Sequence, residues 1–320
     1  MAVSREFLNR AAIDTGFQIA ALEKVARLGE LAGDIAKHPL LGDALALKGG
    51  TPLNLCFGEP RRMSVDLDYN YIHHLDRDAM LAERPGIEKA LRDLAKARGY
   101  TPSNSVDSHA GRTISLQYKS VQGPSDLIKL DVNYAMRLPL GPVRDLTLWQ
   151  PGALDRPIVT VVGSTELLVG KTLAFFARAA ARDAWDLANL PRPLVRTLTG
   201  QSFRTTFLAL AGTLIHQPAP SSLARIRRII TAKVVAEQLV PMLVVGESAT
   251  VVDVVDRAWE RVGALAELAS GEALYFEGIR AGELRLHLLF PSDPAQAARI
   301  AQHPSLLWKI HNVQKHKKRR

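Results

Sequence analysis

This chain is almost without cysteine. Cys56 is the only one in 320 residues, which excludes an intrachain disulfide and points to a reducing compartment. Also missing is any run near the roughly 18 consecutive apolar residues that a membrane span needs. The first residues, MAVSREFLNRAAIDTG, carry charges where a secretory leader has an apolar core. No internal repeat is evident, and the only biased segment is the tail Lys315-His316-Lys317-Lys318-Arg319-Arg320. These absences set the expectation of a cytoplasmic protein with no membrane partner. What is present is ordinary globular composition, 47 % apolar and 23 % charged, on a chain long enough for two lobes and a sizeable core. Cys56 lies in PLNLCFG, expected as a short apolar helix, where a buried structural thiol is favoured over a nucleophile.

The net charge of +9 is unevenly spread. Residues 166–320 hold 21 Lys and Arg against 13 Asp and Glu, while the first 165 hold the remaining 20 against 19. A basic half joined to a nearly neutral one points to a polyanionic partner, with nucleic acid the natural candidate. The tail fits either RNA contact or a solvated, disordered end.

Chemistry concentrates in Lys48-Gly49-Gly50-Thr51 and Ser64-Val65-Asp66-Leu67-Asp68. The run 65–72 (VDLDYNYI) is rich in β-branched and aromatic residues and reads as a strand. Strand side chains alternate, so Asp66 and Asp68 are expected on one face, with Ser64 beside them. Two like charges that close are costly unless a cation lies between them. Hard carboxylate oxygens suit Mg²⁺, which is held by one or two carboxylates plus substrate phosphates. The glycine pair lets the backbone approach a phosphate and offer its N–H groups. A further strand, residues 127–135 (LIKLDVNYA), puts Ile128, Leu130, Val132 and Tyr134 on one face and Lys129, Asp131 and Asn133 on the other. Asp66, Asp68 and Asp131 on one surface would hold two metal ions roughly 4 Å apart, one on the attacking oxygen and one on the phosphates. Metal-assisted nucleotidyl transfer is the chemistry these parts fit. The plain alternative is a solvated strand face with ordinary surface acids.

Around these motifs, residues 14–37 read as a helix closed by His38-Pro39, with Glu23 off its apolar stripe. Residues 44–47 read as a strand into the glycine turn, and 78–98 as a helix interrupted or restarted near Pro85-Gly86. Residues 113–119 read as a strand paired in a hairpin with the Asp131 strand, 138–157 as loop, and 158–162 as a last edge strand. After Ser164 the pattern turns helical over 166–190, 202–217, 220–240, 249–270 and 292–303, with strand character only at 273–276 and 284–290. The expected architecture is α+β, an N-terminal nucleotidyltransferase-like mixed sheet with helices (1–163) and a mainly helical basic lobe (164–320). His73-His74 would point to opposite strand faces and so not converge on a metal. Trp149, Trp185, Trp259 and Trp308 are expected in cores.

Four blocks in order, LKGGTPL, RRMSVDLDY, IKLDV and ELLVGKTLAFFARAAARDAWDL, resemble the AbiEii/AbiGii toxin family. These are the nucleotidyltransferase-like toxins of type IV toxin–antitoxin systems, a group that includes the MenT toxins of mycobacteria. The resemblance covers residues 40–190. It implies that Asp66 and Asp68 bind metal and that Lys171 and Asp186 of the last block complete the site. It further implies an NTP substrate, Mg²⁺ or Mn²⁺, the 3′ end of tRNA or another RNA as acceptor, and a cognate antitoxin. On a continuous helix, Lys171, Arg178, Arg182 and Asp186 fall within about 80° of one another. Lys171 would then meet the triphosphate as a compact charge, resting meanwhile on Asp66, Asp68 or Asp186. Asp186 would anchor Lys171 or an arginine, or help position metal. Should the helix break at 179–181, Asp183 is expected as the N-cap of the next one. Two other functions stay open: binding of NTP and RNA without turnover, and transfer to a protein or small molecule.

Overall fold

The computed structural model describes residues 3–104, 108, 110–215 and 223–318. Contacts divide the chain into two compact units, Met1–Gly163 with Ala236–Ser248, and Ser164–Val235 with Ala249–Arg320.

The first unit opens with α1 (Arg5–Thr15) and α2 (Ile19–Lys37). The single helix expected from residue 14 is cut at Gly16, whose φ of 74° caps α1 in the left-handed region that glycine tolerates. After α3 (Leu41–Ala44) come β1 (Leu45–Lys48), α4 (Gly50–Leu55), β2 (Leu67–Tyr71) and α5 (Arg77–Ala97). Helix α5 runs through Pro85 without a break. Next are β3 (Thr101–Asn104), β4 (Gly111–Lys119), β5 (Ser125–Asn133), β6 (Arg144–Thr147) and β7 (Ile158–Val161). All strands join one seven-stranded sheet in the order β3-β4-β5-β2-β1-β7-β6. The expected loop at 138–157 therefore contains a strand. It is β6, not β7, that forms that edge, because β7 pairs with both β1 and β6.

Sheet direction is mixed. β2 runs antiparallel to β1 and parallel to β5, and β4 and β5 form the expected hairpin. Leu67, Tyr69 and Tyr71 of β2 and Ile128, Leu130 and Val132 of β5 are buried, the apolar faces that alternation predicts. Helix α2 packs on α1, α3, α5 and β7. Its Glu23 is buried rather than on a polar face, and accepts hydrogen bonds from Ser120 Oγ at 2.7 Å and Val121 N at 3.2 Å in the β4–β5 turn. The returning segment 236–248 meets the chain just ahead of the acids. Leu243 bridges Arg62, and Met63 N–H donates to Met242 O at 2.7 Å.

The described residues of the second unit contain no strand. They form α6 (Ser164–Arg178), α7 (Ala181–Ala188), α8 (Arg192–Leu198), α9 (Gln201–Ala211), α10 (Leu223–Ile229), α11 (Ala232–Gln238, whose end enters the first unit), α12 (Arg257–Val262), α13 (Ser270–Ala281), α14 (Pro294–Ala301) and α15 (Pro304–Lys317). The strand character expected at 273–276 is overturned, since those residues lie in α13, and 286–288 is a single 3₁₀ turn. The basic tail is helical to Lys317, where Lys317 Nζ donates to Ala281 O at 3.0 Å and Gln314 Nε2 to Gly282 O at 2.8 Å. Arg319 and Arg320 of that tail, and residues 216–222, where the expected helices 202–217 and 220–240 end and begin, lie outside the described residues. No helix among the described residues is long and apolar enough to cross a membrane.

Candidate active site

In the first unit one transverse row crosses the sheet, reading Lys48, Asp68, Asp131, Thr113 on β1, β2, β5 and β4. Directly opposed residues on adjacent strands share a face and stand about 5 Å apart. The row thus sets two carboxylates side by side, flanked by a lysine and a threonine. Thr113 donates its hydroxyl proton to Asp131 Oδ1, which fixes that carboxylate. Asp66 is half-buried and stands one residue ahead of β2, so only Asp68 belongs to the ladder itself.

The glycine turn is built against Asp68. Gly49 has φ 78°, and a Cβ added there would lie 2.5 Å from Asp68 Oδ2. Both the backbone conformation and the space require glycine. Gly50 starts α4 immediately afterwards. Thr51 is buried; its Oγ1 donates to the Asp66 carbonyl at 2.5 Å and lies 3.1 Å from Ser64 Oγ. These hydroxyls tie α4 to the approach of β2. Asp68 and Asp131 stand side by side on the row with Asp66 one residue ahead of β2, and all three are hard oxygen donors of the kind that suits a small divalent cation, although their carboxylates do not close to within ligand spacing of one another here. Cys56 ends α4, half-buried, with its thiol pushed up to about 12 by burial, which leaves no thiolate for nucleophilic work.

In the second unit the helix of the last block does break. Ala179 takes φ 50°, the one positive value at a non-glycine among the described residues, and α7 starts afresh at Ala181. The single charged stripe expected on a continuous helix is therefore divided between two helices. Asp183 is not the cap. Position 180 is the cap, without a side-chain hydrogen bond, and Asp183 turns inward. Lys171 Nζ lies 2.9 Å from Asp183 Oδ1 and 2.7 Å from Asp186 Oδ2, with all three side chains at most 7 % exposed. Arg178 Nε adds a bond to Asp183 Oδ2 at 2.7 Å. Burial works to raise the Asp183 pKa, but the Lys171 charge and the Arg178 hydrogen bonds outweigh it and hold the carboxyl below its ordinary value. Of the resting partners expected for Lys171, Asp186 is present, and Asp183 is the one that sequence reasoning missed. The signal available for it was the Ala-Ala-Ala stretch at 179–181 that permits the break.

Two further expectations fail. Trp149 and Trp185 are buried, but Trp308 on α15 is 64 % exposed. His73 and His74 do not diverge, because β2 ends at Tyr71 and strand alternation stops there.

The family model for the nucleotidyl transferase AbiEii toxin of type IV toxin–antitoxin systems matches residues 31–242. That span contains the glycine turn, the Asp68–Asp131 row and the Lys171 cluster.

The chain belongs to the AbiEii toxin family.

It is accordingly a nucleotidyltransferase toxin, a class that implies a cognate antitoxin and in general draws on an NTP and a divalent metal. Among solved structures it is similar to MenT4, a nucleotidyltransferase toxin from Mycobacterium tuberculosis H37Rv, with a TM-score of 0.58 and 18 % identity over 94 % of this chain and 99 % of that one. At that identity the likeness speaks for the fold. No sequence relative is found among curated proteins.

Proposed function

We propose that this AbiEii-family enzyme moves a nucleotide from an NTP to RNA, with the 3′ end of tRNA as acceptor, and so blocks translation in the cytoplasm. The observation that carries the reading is Asp68 in register with Asp131 beside the Gly49 turn. Asp66, Asp68 and Asp131 are the residues to hold Mg²⁺ or Mn²⁺, which when bound supplies Lewis-acid stabilisation of phosphate charge. Gly49, Gly50, Thr51 and Ser64 shape the turn where phosphates approach the backbone. An acceptor hydroxyl attacks the α-phosphorus, the bond to the bridging oxygen breaks, and pyrophosphate leaves. Asp131 either completes the carboxylate set or takes the proton of the acceptor hydroxyl. By resemblance to the family, Lys171 is the residue to balance charge on the leaving pyrophosphate.

RNA as acceptor is supported by charge. Glu237 and Glu247 lie in the segment that returns to the first unit, so the second unit holds 21 Lys and Arg against 11 Asp and Glu. The first unit then holds 20 against 21. An excess of that size on one unit favours a polyanion over a small acceptor. The deciding experiment incubates purified protein with total tRNA, Mg²⁺ and each labelled NTP in turn. Label at the tRNA 3′ end with at least one NTP is expected. Label on protein alone, or none with any NTP, overturns the reading.

A further inference from the structure

The loop between β2 and α5 and the second turn of α5 bring together three ligand-bearing side chains that the nucleotidyl-transfer reading does not use. His73 Nδ1 lies 2.8 Å from Glu83 Oε1. The His73 and His74 rings stand 4.0 Å apart between centroids, tilted by 32°. One ligand atom from each of His73, His74 and Glu83 lies within 4.8 Å of the others. Adjacent histidines converge here because the chain leaves the sheet after Tyr71 and bends before α5.

The loop is held in that shape from several sides. Ile72 N–H donates to Ala44 O at 2.8 Å, and Arg137 Nε–H to Leu75 O at 2.7 Å. Asp76 caps α5 through Asp78 N at 3.0 Å and Ala79 N at 2.8 Å. The buried Tyr71 hydroxyl donates to Glu83 Oε2 at 2.5 Å and accepts from His74 N–H at 3.2 Å. One phenol thus orients both the carboxylate and the backbone of the second histidine, the role that outer hydrogen bonds play around metal ligands.

We infer that His73, His74 and Glu83 form a binding site for a transition-metal dication of the zinc class, separate from the acidic row on the sheet. Two imidazoles and one carboxylate suit zinc-like ions, whereas Mg²⁺ prefers oxygen ligands alone. Zinc takes nitrogen and oxygen at about 2.0–2.2 Å, so its ligand atoms stand roughly 3–3.5 Å apart. The ligand atoms now lie within 4.8 Å of one another, and the His73 ring, 43 % exposed, has solvent space in which to turn toward that spacing. Ligation through Nδ1 uses the His73 tautomer that carries its proton on Nε2, since the metal takes the Nδ1 lone pair. Water fills the fourth position. Such an ion clamps the exit of β2, the strand that carries Asp68, to helix α5.

The test titrates metal-stripped full-length protein with Zn²⁺ in excess Mg²⁺, which keeps the carboxylates of the acidic row occupied, and repeats it on His73→Ala, His74→Ala and Glu83→Gln. Expected is one tight equivalent in the wild type and affinity weakened by at least about tenfold in each variant, with Tyr71→Phe weakened by about 10-fold or more through loss of the outer hydrogen bond. Addition of Zn²⁺ should also raise the thermal midpoint of the wild type and not that of His73→Ala, whose exposed ring is replaceable without loss of core. No tight equivalent in the wild type, or undiminished affinity in both histidine variants, overturns the proposal. Neither outcome depends on nucleotidyl transfer.

Discussion

Asp68 and Asp131 oppose each other across the parallel β2–β5 ladder, in the same register that places Lys48 and Thr113 on the flanking strands β1 and β4. Side-by-side carboxylates repel, and a fold retains them where a cation takes up their charge. Asp66→Asn or Asp68→Asn should therefore abolish transfer and growth inhibition, a loss of at least about 100-fold, while circular dichroism stays native. Full toxicity in both variants would contradict the metal-dependent reading.

Gly49→Ala should damage the same site from the other side. The new methyl meets Asp68 Oδ2 at 2.5 Å and sits on a backbone with φ 78°. Strain of this kind costs about 1–3 kcal/mol. Urea denaturation should show that loss, and activity should fall further than stability because Asp68 must move. A variant with wild-type activity would show that the close approach is dispensable.

The Lys171 cluster ties α6 to α7 through buried ion pairs. Lys171→Ala removes the ammonium from buried Asp186 and leaves Asp183 with Arg178, a broken buried pair that should cost up to about 3–5 kcal/mol. Lys171→Arg should not fully rescue NTP binding, because the planar fork is bulkier than an ammonium between two carboxylates. Nucleotide affinity must be compared at temperatures where each variant is folded. Equal NTP affinity in folded Lys171→Ala and wild type would remove Lys171 from the phosphate site.

Acid should loosen the same cluster. The folded pKa of Asp183 lies below its ordinary value of 3.8. Its contribution is thus complete above about pH 4 and is lost as the pH falls through the folded value. Asp183→Asn should be less stable at neutral pH and show a flatter acid limb in thermal melts between about pH 4 and pH 2. An acid limb as steep as that of the wild type would mean that other carboxyls govern it.

RNA affinity should fall steeply with salt, since each phosphate contact releases counterions, with log K against log[salt] sloping by about −0.7 to −0.9 per contact. Deleting residues 315–320 should weaken binding only modestly, because much of the basic excess lies earlier in the second unit. Affinity that barely moves between low and physiological salt would exclude the basic unit as an RNA platform.

The sequence by itself determined the local parts. Alternation marked the apolar faces of β2 and β5, the glycine pair marked the turn after β1, and the hairpin was legible from its turn residues. Four ordered blocks were enough to indicate the family, and the charge count located the basic half. These signals act over a few residues, where backbone sterics and side-chain period decide conformation. Partnerships between distant segments were decided only by the tertiary structure. Asp68 meets Asp131 because β5 pairs in parallel with β2 across 63 positions of chain, a register that no local pattern specifies. Asp183 became a partner of Lys171 because the chain bends at Ala179. His73 and His74 converge on Glu83 because β2 ends one residue earlier than its composition indicated and the Tyr71 hydroxyl holds Glu83 of α5 at the strand's exit. In each case the deciding energy is packing and hydrogen bonding gathered from segments far apart in sequence, which overrides local propensity where the two conflict.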